Sequence, residues 1–370
     1  MKQRITQSIV GALALSATAL ATFVYAADEA TPKANPVTNA ISKAVGKVRG
    51  DKDMLAVLDA QASLKPQPIE KLDVATARKQ PTVTDGVNVV LKKQGKSTQP
   101  EDLVPGVTSA DITVDGAAGK LPATVYTPSG NGPFPVVVYY HGGGWVIADR
   151  KVYDGGARGI AKQANAVVIS VDYRQAPEAK FPAAWDDALA AYKWTLANAA
   201  QFKGDPKRVA LAGESAGGNL ALATAIAARD GGLQAPAHVL AVYPVTQTGL
   251  NTESYIENSI AKPLNRAMVK WFVDKTTNSP NDLKDTRLQL IDAKLEGLAP
   301  VTIINARIDP LRSDGSKMED ALKKANVPVE RKDYEGVTHE FFGAAAVVAK
   351  AQEAQAYAGQ RLKQAFGSTQ

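Results

Sequence analysis

Gly213-Glu214-Ser215-Ala216-Gly217 sets one serine in a frame of small residues, after the apolar run Val209-Ala210-Leu211 and before a helical pattern. A tight strand-to-helix turn lifts a hydroxyl clear of a sheet, and flanking glycines are needed where side chains would collide. The following helix aims its N-terminal N–H groups at the place where negative charge develops. The plain alternative is a glycine-rich turn whose serine caps a helix. The strand before it and the helix after it favour Ser215 as a nucleophile.

A second run, His141-Gly142-Gly143-Gly144-Trp145, directly follows the apolar stretch Val136 to Tyr140. Successive glycines let backbone N–H groups turn inward. Those of Gly142 and Gly143, with that of Ala216, form a candidate oxyanion hole for a tetrahedral intermediate. Alone, such a run also suits a phosphate, but it lacks the lysine and hydroxyl of a P-loop. A serine needs a base, and the chain has 3 histidines. His141 belongs to the glycine loop and holds its shape. His238 precedes a strand without catalytic context and reads as a surface or structural histidine. His339 lies in a loop after the strand-like Val329 to Tyr334, where catalytic loops leave a parallel sheet, and is the candidate base. Its acid partner is Asp309, after the buried run Val301 to Asn305. Asp314 is the rival, and it also reads as a residue of a helix N-terminus. The order Ser215, Asp309, His339 is that of α/β-hydrolases.

These loops need a sheet to present them. Continuous apolar runs at 135–140, 166–171, 208–211, 239–243 and 301–305 read as strands buried on both faces. Helical patterns at 185–197, 219–228 and 316–325 alternate with them, which argues for a mostly parallel sheet with helices on both faces. Ile112-Thr113-Val114 and Leu121 to Thr127 read as an antiparallel pair joined at Asp115-Gly116. Met54, Leu55 and Leu58 suggest a short helix over 53–62, and 69–79 suggests another, ended by Pro81. The segment from about 253 to 292, with Met268, Val269, Trp271 and Phe272 in a helical stretch, interrupts the rhythm where a cap would sit. Trp145, Trp271, Phe272 and Met268 suit either a substrate pocket or core packing.

The chain has 370 residues, 45% hydrophobic and 22% charged, which suits a soluble globular protein. It has no cysteine, which excludes disulfides, thiol nucleophiles and thiolate metal sites. The net charge of +6 is spread along the chain, without the dense basic run of a nucleic-acid binder. Lys2 and Arg4, an apolar stretch from Ile9 to Val24 and the small-residue site around Ala26 have the pattern of a secretory signal peptide. An uncleaved anchor or a buried first helix are the alternatives. The expected organisation is a signal over 1–26, a flexible lead-in over 27–50, and one hydrolase domain over 51–370. Its cap would come from about 51–100 and 250–292. A periplasmic or secreted protein with no stable membrane span after cleavage is expected.

Taken together, the HGGGW loop, GESAGGN at 213–219, DYRQAPE at 172–178, FPAA at 181–184, Asp186-Asp187, DPLR at 309–312 and HEF at 339–341 resemble the bacterial hormone-sensitive lipase-like α/β-hydrolases, near arylacetamide deacetylases. The resemblance implies a serine esterase for short- to medium-chain acyl esters, acting through an acyl-enzyme on a small-molecule ester without metal or organic cofactor. It also implies a helical cap built partly from N-terminal helices, and structural roles for Asp172 and Arg174. Gln175 stands where leucine is usual, and Ser313 where an acidic residue is common. Two other functions fit the same fold. One is a non-catalytic ligand-binding protein, against which the presence of His339 in context weighs. The other is amide or lactone cleavage by the same triad.

Overall fold

Residues 135–140 are valine and tyrosine after one proline, a composition that favours extended backbone buried on both faces. In the structure, a computed structural model that describes residues 49–367, they form the middle of an eight-stranded sheet. The strands are β1 (Val107–Gly116), β2 (Gly119–Pro128), β3 (Phe134–Tyr140), β4 (Val167–Val171), β5 (Gly204–Glu214), β6 (Val239–Val242), β7 (Val301–Ile308) and β8 (Val329–Thr338). Their spatial order is β1-β2-β4-β3-β5-β6-β7-β8. From β4 to β8 every pairing is parallel, and β2 runs antiparallel to β1 and β4. The expected signal over 1–26 and nearly all of the lead-in over 27–50 lie outside the described residues.

The longer helices are α1 (Lys52–Ser63), α2 (Val83–Lys93), α3 (Asp154–Ala164), α4 (Ala183–Asn198), α5 (Ala216–Asp230), α6 (Arg266–Thr276), α7 (Arg312–Lys324) and α8 (Ala349–Ala365). Alternation along β3 divides the core in two. Val136, Val138 and Tyr140 pack with Ala188 of α4, Leu220 of α5 and Met318 of α7. Val137 and Tyr139 pack on the other face with Ile160 of α3 and Ala354 of α8, where α1 and α2 also bury Met54, Val57 and Leu91. Helices on both faces of a largely parallel sheet agree with the α/β expectation. Among the described residues no helix is long and apolar enough to cross a membrane.

Three local expectations change. The β1–β2 ladder runs through Asp115 to Gly116 opposite Gly119, so Ala117-Ala118 makes the turn. The Ala117 N–H donates to Asp187 Oδ1 at 2.9 Å, so α4 fixes the turn. The expected helix over 69–79 is instead a 3-10 turn, Ile69–Lys71, and one helical turn, Val74–Ala77. Asp73 separates them by accepting the Thr76 N–H at 2.9 Å. Helix α2 was not expected. Its signal is a capping box, in which Thr82 and Asp85 satisfy each other's backbone N–H groups.

Candidate active site

Ser215 joins β5 to α5 with φ 57° and ψ −118°, a strained conformation for a residue with a side chain. The turn is held by its N–H, which donates to the Val242 carbonyl at 2.9 Å. It is so tight that a Cβ at position 217 would overlap the carbonyls of Tyr140 and His141, which is why glycine stands there. The hydroxyl that emerges lies 3.0 Å from His339 Nε2, and His339 Nδ1 lies 2.7 Å from Asp309 Oδ2. The carboxylate fixes the tautomer: Nδ1–H donates to Asp309, which leaves Nε2 free to accept the serine proton. All three side chains are buried. Burial pulls the His339 pKa down, but the charge and hydrogen bond of Asp309 outweigh it and hold it above the usual histidine value.

The Asp309 carboxylate also accepts the Leu311 N–H at 2.8 Å, so both of its oxygens are engaged. Its own carbonyl accepts Asn258 Nδ2–H at 3.1 Å. Asp314, the rival acid, sits in the first turn of α7. Its carboxyl accepts from the Thr246 N–H and from Gln247 Nε2, both at 3.2 Å, while His339 Nδ1 pairs with Asp309. His238 is buried, not at the surface, with Nε2 at 2.9 Å from Thr302 Oγ1.

The glycine loop lies beside the serine. Gly143 has φ 95°, open to glycine and rarely to other residues. The N–H groups of Gly142 and Gly143 donate to no acceptor among the described residues. Ala216 is the first residue of α5, so its N–H has no partner one turn back. His141 holds the loop as expected: its Nδ1 is 2.7 Å from the Gly142 carbonyl, and its ring stacks on Tyr173 with centroids 4.4 Å apart. The Tyr173 hydroxyl donates to the His141 carbonyl at 2.9 Å. Asp172 pairs with Arg150, and Arg174 Nε with Asp187 Oδ2 at 2.7 Å, so both tie loops together.

Ser215, His339 and Gly143 open onto one largely apolar pocket. Residues between Gln61 and Thr82 form one part of its wall, and Pro263 to Val273 another. Trp145, Met268 and Phe272 line it. Trp271 does not; its indole N–H donates to the Leu72 carbonyl at 3.2 Å, joining α6 to the N-terminal segment. Sequence reasoning assigned no role to Asn258, Tyr153 or Glu340. The last stood in plain view beside His339, but nothing in the sequence showed which way its side chain turns. Among the described residues no group of three or more acidic or histidine side chains is placed to hold a metal ion.

Comparison with known proteins agrees with this geometry. Residues 137–343 match the family model described as the alpha/beta hydrolase fold. The carboxylesterase NlhH of Mycobacterium tuberculosis is 39% identical over 292 residues, 77% of this chain and 91% of that protein. The esterase LipI of the same organism is 34% identical over 80% of this chain and 93% of its own. Among solved structures, an esterase of Pyrobaculum calidifontis superposes with a TM-score of 0.74 at 34% identity, covering 82% of this chain and 97% of that one. The chain belongs to the α/β-hydrolase family, among its hormone-sensitive lipase-like esterases.

Proposed function

We propose that the protein hydrolyses carboxylic esters of short to medium acyl chains, with Ser215 as nucleophile, His339 as base and Asp309 as its acid partner. The observation that carries this is the continuous chain from Ser215 Oγ to His339 to Asp309, at 3.0 and 2.7 Å, opening beside N–H groups that have no acceptor among the described residues. Ser215 Oγ attacks the acyl carbonyl as His339 Nε2 takes its proton. The N–H groups of Gly142, Gly143 and Ala216 receive the oxyanion. Collapse expels the alcohol, which takes the proton from His339. Water, deprotonated by the same nitrogen, then attacks the acyl-enzyme and releases the acid.

The apolar wall of Leu264, Met268 and Phe272 supports an acyl or alkyl group as the bound portion. The Phe272 ring packs directly on Gly144, where a Cβ would collide with it, and this limits the space next to the glycine loop. The test is a p-nitrophenyl ester series of rising acyl length. Activity should be highest among the shorter chains, and Ser215→Ala should lose roughly 10⁴-fold or more in kcat/KM. Full activity in that variant would refute the assignment. Export through residues 1–26 belongs to the same proposal, supported by the sequence pattern alone, and predicts Ala27 as the first residue of the mature protein when it is sequenced.

A further inference from the structure

Three titratable side chains line the pocket: Arg78, His339 and Glu340. Arg78 is already satisfied. Its guanidinium forms two 2.7 Å bonds to the two oxygens of Glu178, and it donates to the carbonyls of Val146 at 2.8 Å and Ala176 at 3.0 Å. His339 is engaged by Ser215 and Asp309. Glu340 differs from both. One oxygen accepts the Tyr153 hydroxyl at 3.0 Å, a neutral donor, and among the described residues no ion pair to it is formed. Glu340 is half-buried and lines the pocket together with Ser215 and His339.

Its backbone adds a second, independent observation. Glu340 has φ 63°, a conformation in which glycine or asparagine costs less than glutamate, by about 1 kcal/mol. Tyr153, which holds the Glu340 carboxyl, is itself fixed against the glycine loop, since a Cβ on Gly142 would meet its hydroxyl. Burial, with the charge of Asp309, holds the Glu340 pKa above the usual carboxylate value, although the neighbouring His339 and the Tyr153 hydroxyl act the other way. A carboxylate beside a largely apolar pocket is weakly screened.

We propose that Glu340 makes this pocket select neutral and cationic esters and reject esters that carry an anionic group within a few carbons of the scissile bond. This inference rests on the ester-hydrolase reading above and names the substrate class of that same site. A dicarboxylic half-ester brings its free carboxylate against Glu340. An ω-amino ester brings an ammonium that pairs with it.

The test compares ethyl butyrate, ethyl 4-aminobutyrate and monoethyl succinate, matched in length, at neutral pH. For the wild type, kcat/KM on the succinate should lie on the order of tenfold below the butyrate, with the aminobutyrate equal to the butyrate or above it. In Glu340→Gln the spread between the succinate and the aminobutyrate should shrink by about the same factor, and Glu340→Asp should keep it. Equal rates on all three esters in the wild type, or an unchanged spread in Glu340→Gln, would overturn the inference. Failure of the wild type to cleave ethyl butyrate would instead overturn the ester-hydrolase reading. Should Glu340→Gln not fold, competitive inhibition of the wild type by methyl ketones of the same three shapes decides. Weakest inhibition by the anionic ketone supports the selection, and equal inhibition refutes it.

Discussion

Asp309 is held by more than its histidine. Ser254 Oγ donates to the Pro310 carbonyl at 2.5 Å and accepts the Ser313 N–H at 3.0 Å, while the Ser254 N–H donates to Ser313 Oγ at 3.2 Å. Ser313, which departs from the acidic residue common in the family, thus forms one half of a reciprocal pair. Asn258 adds the bond to the Asp309 carbonyl. Buried polar groups in such a network cost most when one partner is removed. Asn258→Ala should therefore loosen Asp309 without touching the pocket, of which Asn258 is not a lining residue. We expect kcat to fall roughly tenfold, equivalent to about 1.4 kcal/mol, with KM little changed. The acid limb of the kcat/KM profile should move to lower pH, because a mobile Asp309 supports the imidazolium less. An unchanged profile with a lower melting temperature would mean that Asn258 only stabilises the fold. At this scale the triad was legible, because three histidines and a strand-to-helix serine left few combinations. The side chains that orient the triad were not, since Asn258 lies 51 residues from Asp309 and nothing local marks the contact.

Elements were legible where one residue type dictated the backbone. The β-branched and aromatic runs of β3, β4 and β7 came out as strands within a few residues of their expected ends, because a strand buried on both faces leaves little choice of composition. The helix expected over 69–79 broke because Asp73 satisfies a backbone donor within the segment, a local competitor that apolar spacing does not register. Helix α3 carries no helical signal in the sequence for another reason. It carries Gly155, Gly156 and Gly159, poor helix formers, and tertiary contact explains them. A Cβ at Gly156 would run into Glu214 and Tyr139, and one at Gly159 into Gln355. The helix is therefore shaped to lie close against β3, β5 and α8, and those partners are distant in sequence. The segment 253–292 was legible as an interruption but not as two devices. One part supplies α6 to the pocket wall, and the other, Glu253–Glu257, braces the Asp309 loop.

At the scale of the whole molecule, the sheet buries acids that solvent would ionise. Glu214 accepts hydrogen bonds from the hydroxyls of Tyr139 and Tyr243 and is pushed up to about 7 by burial, which those two bonds only partly offset. Asp314 is likewise pushed up to about 7 by burial, against the opposing bonds from Gln247 and Thr246, with the charge of Asp309 adding to the rise. The sign of the consequence follows from linkage. Below about pH 4 both the folded and unfolded chains hold these protons, and neither group affects stability. As pH rises towards 7 the unfolded chain releases them first, so unfolding gains and stability falls; above the folded value both states are ionised and the loss levels off. A shift of this size corresponds to a few kcal/mol per group. Asp314→Asn keeps an oxygen for the Thr246 N–H and removes the titration. Urea denaturation of wild type and variant at pH 5 and pH 8 separates the effect from any constant cost of the new amide. The wild type should lose more stability between the two pH values than the variant does, with their difference confined to the range below about 7. Parallel losses would show that Asp314 is ionised in the folded protein and that its partners, not its proton, support it there.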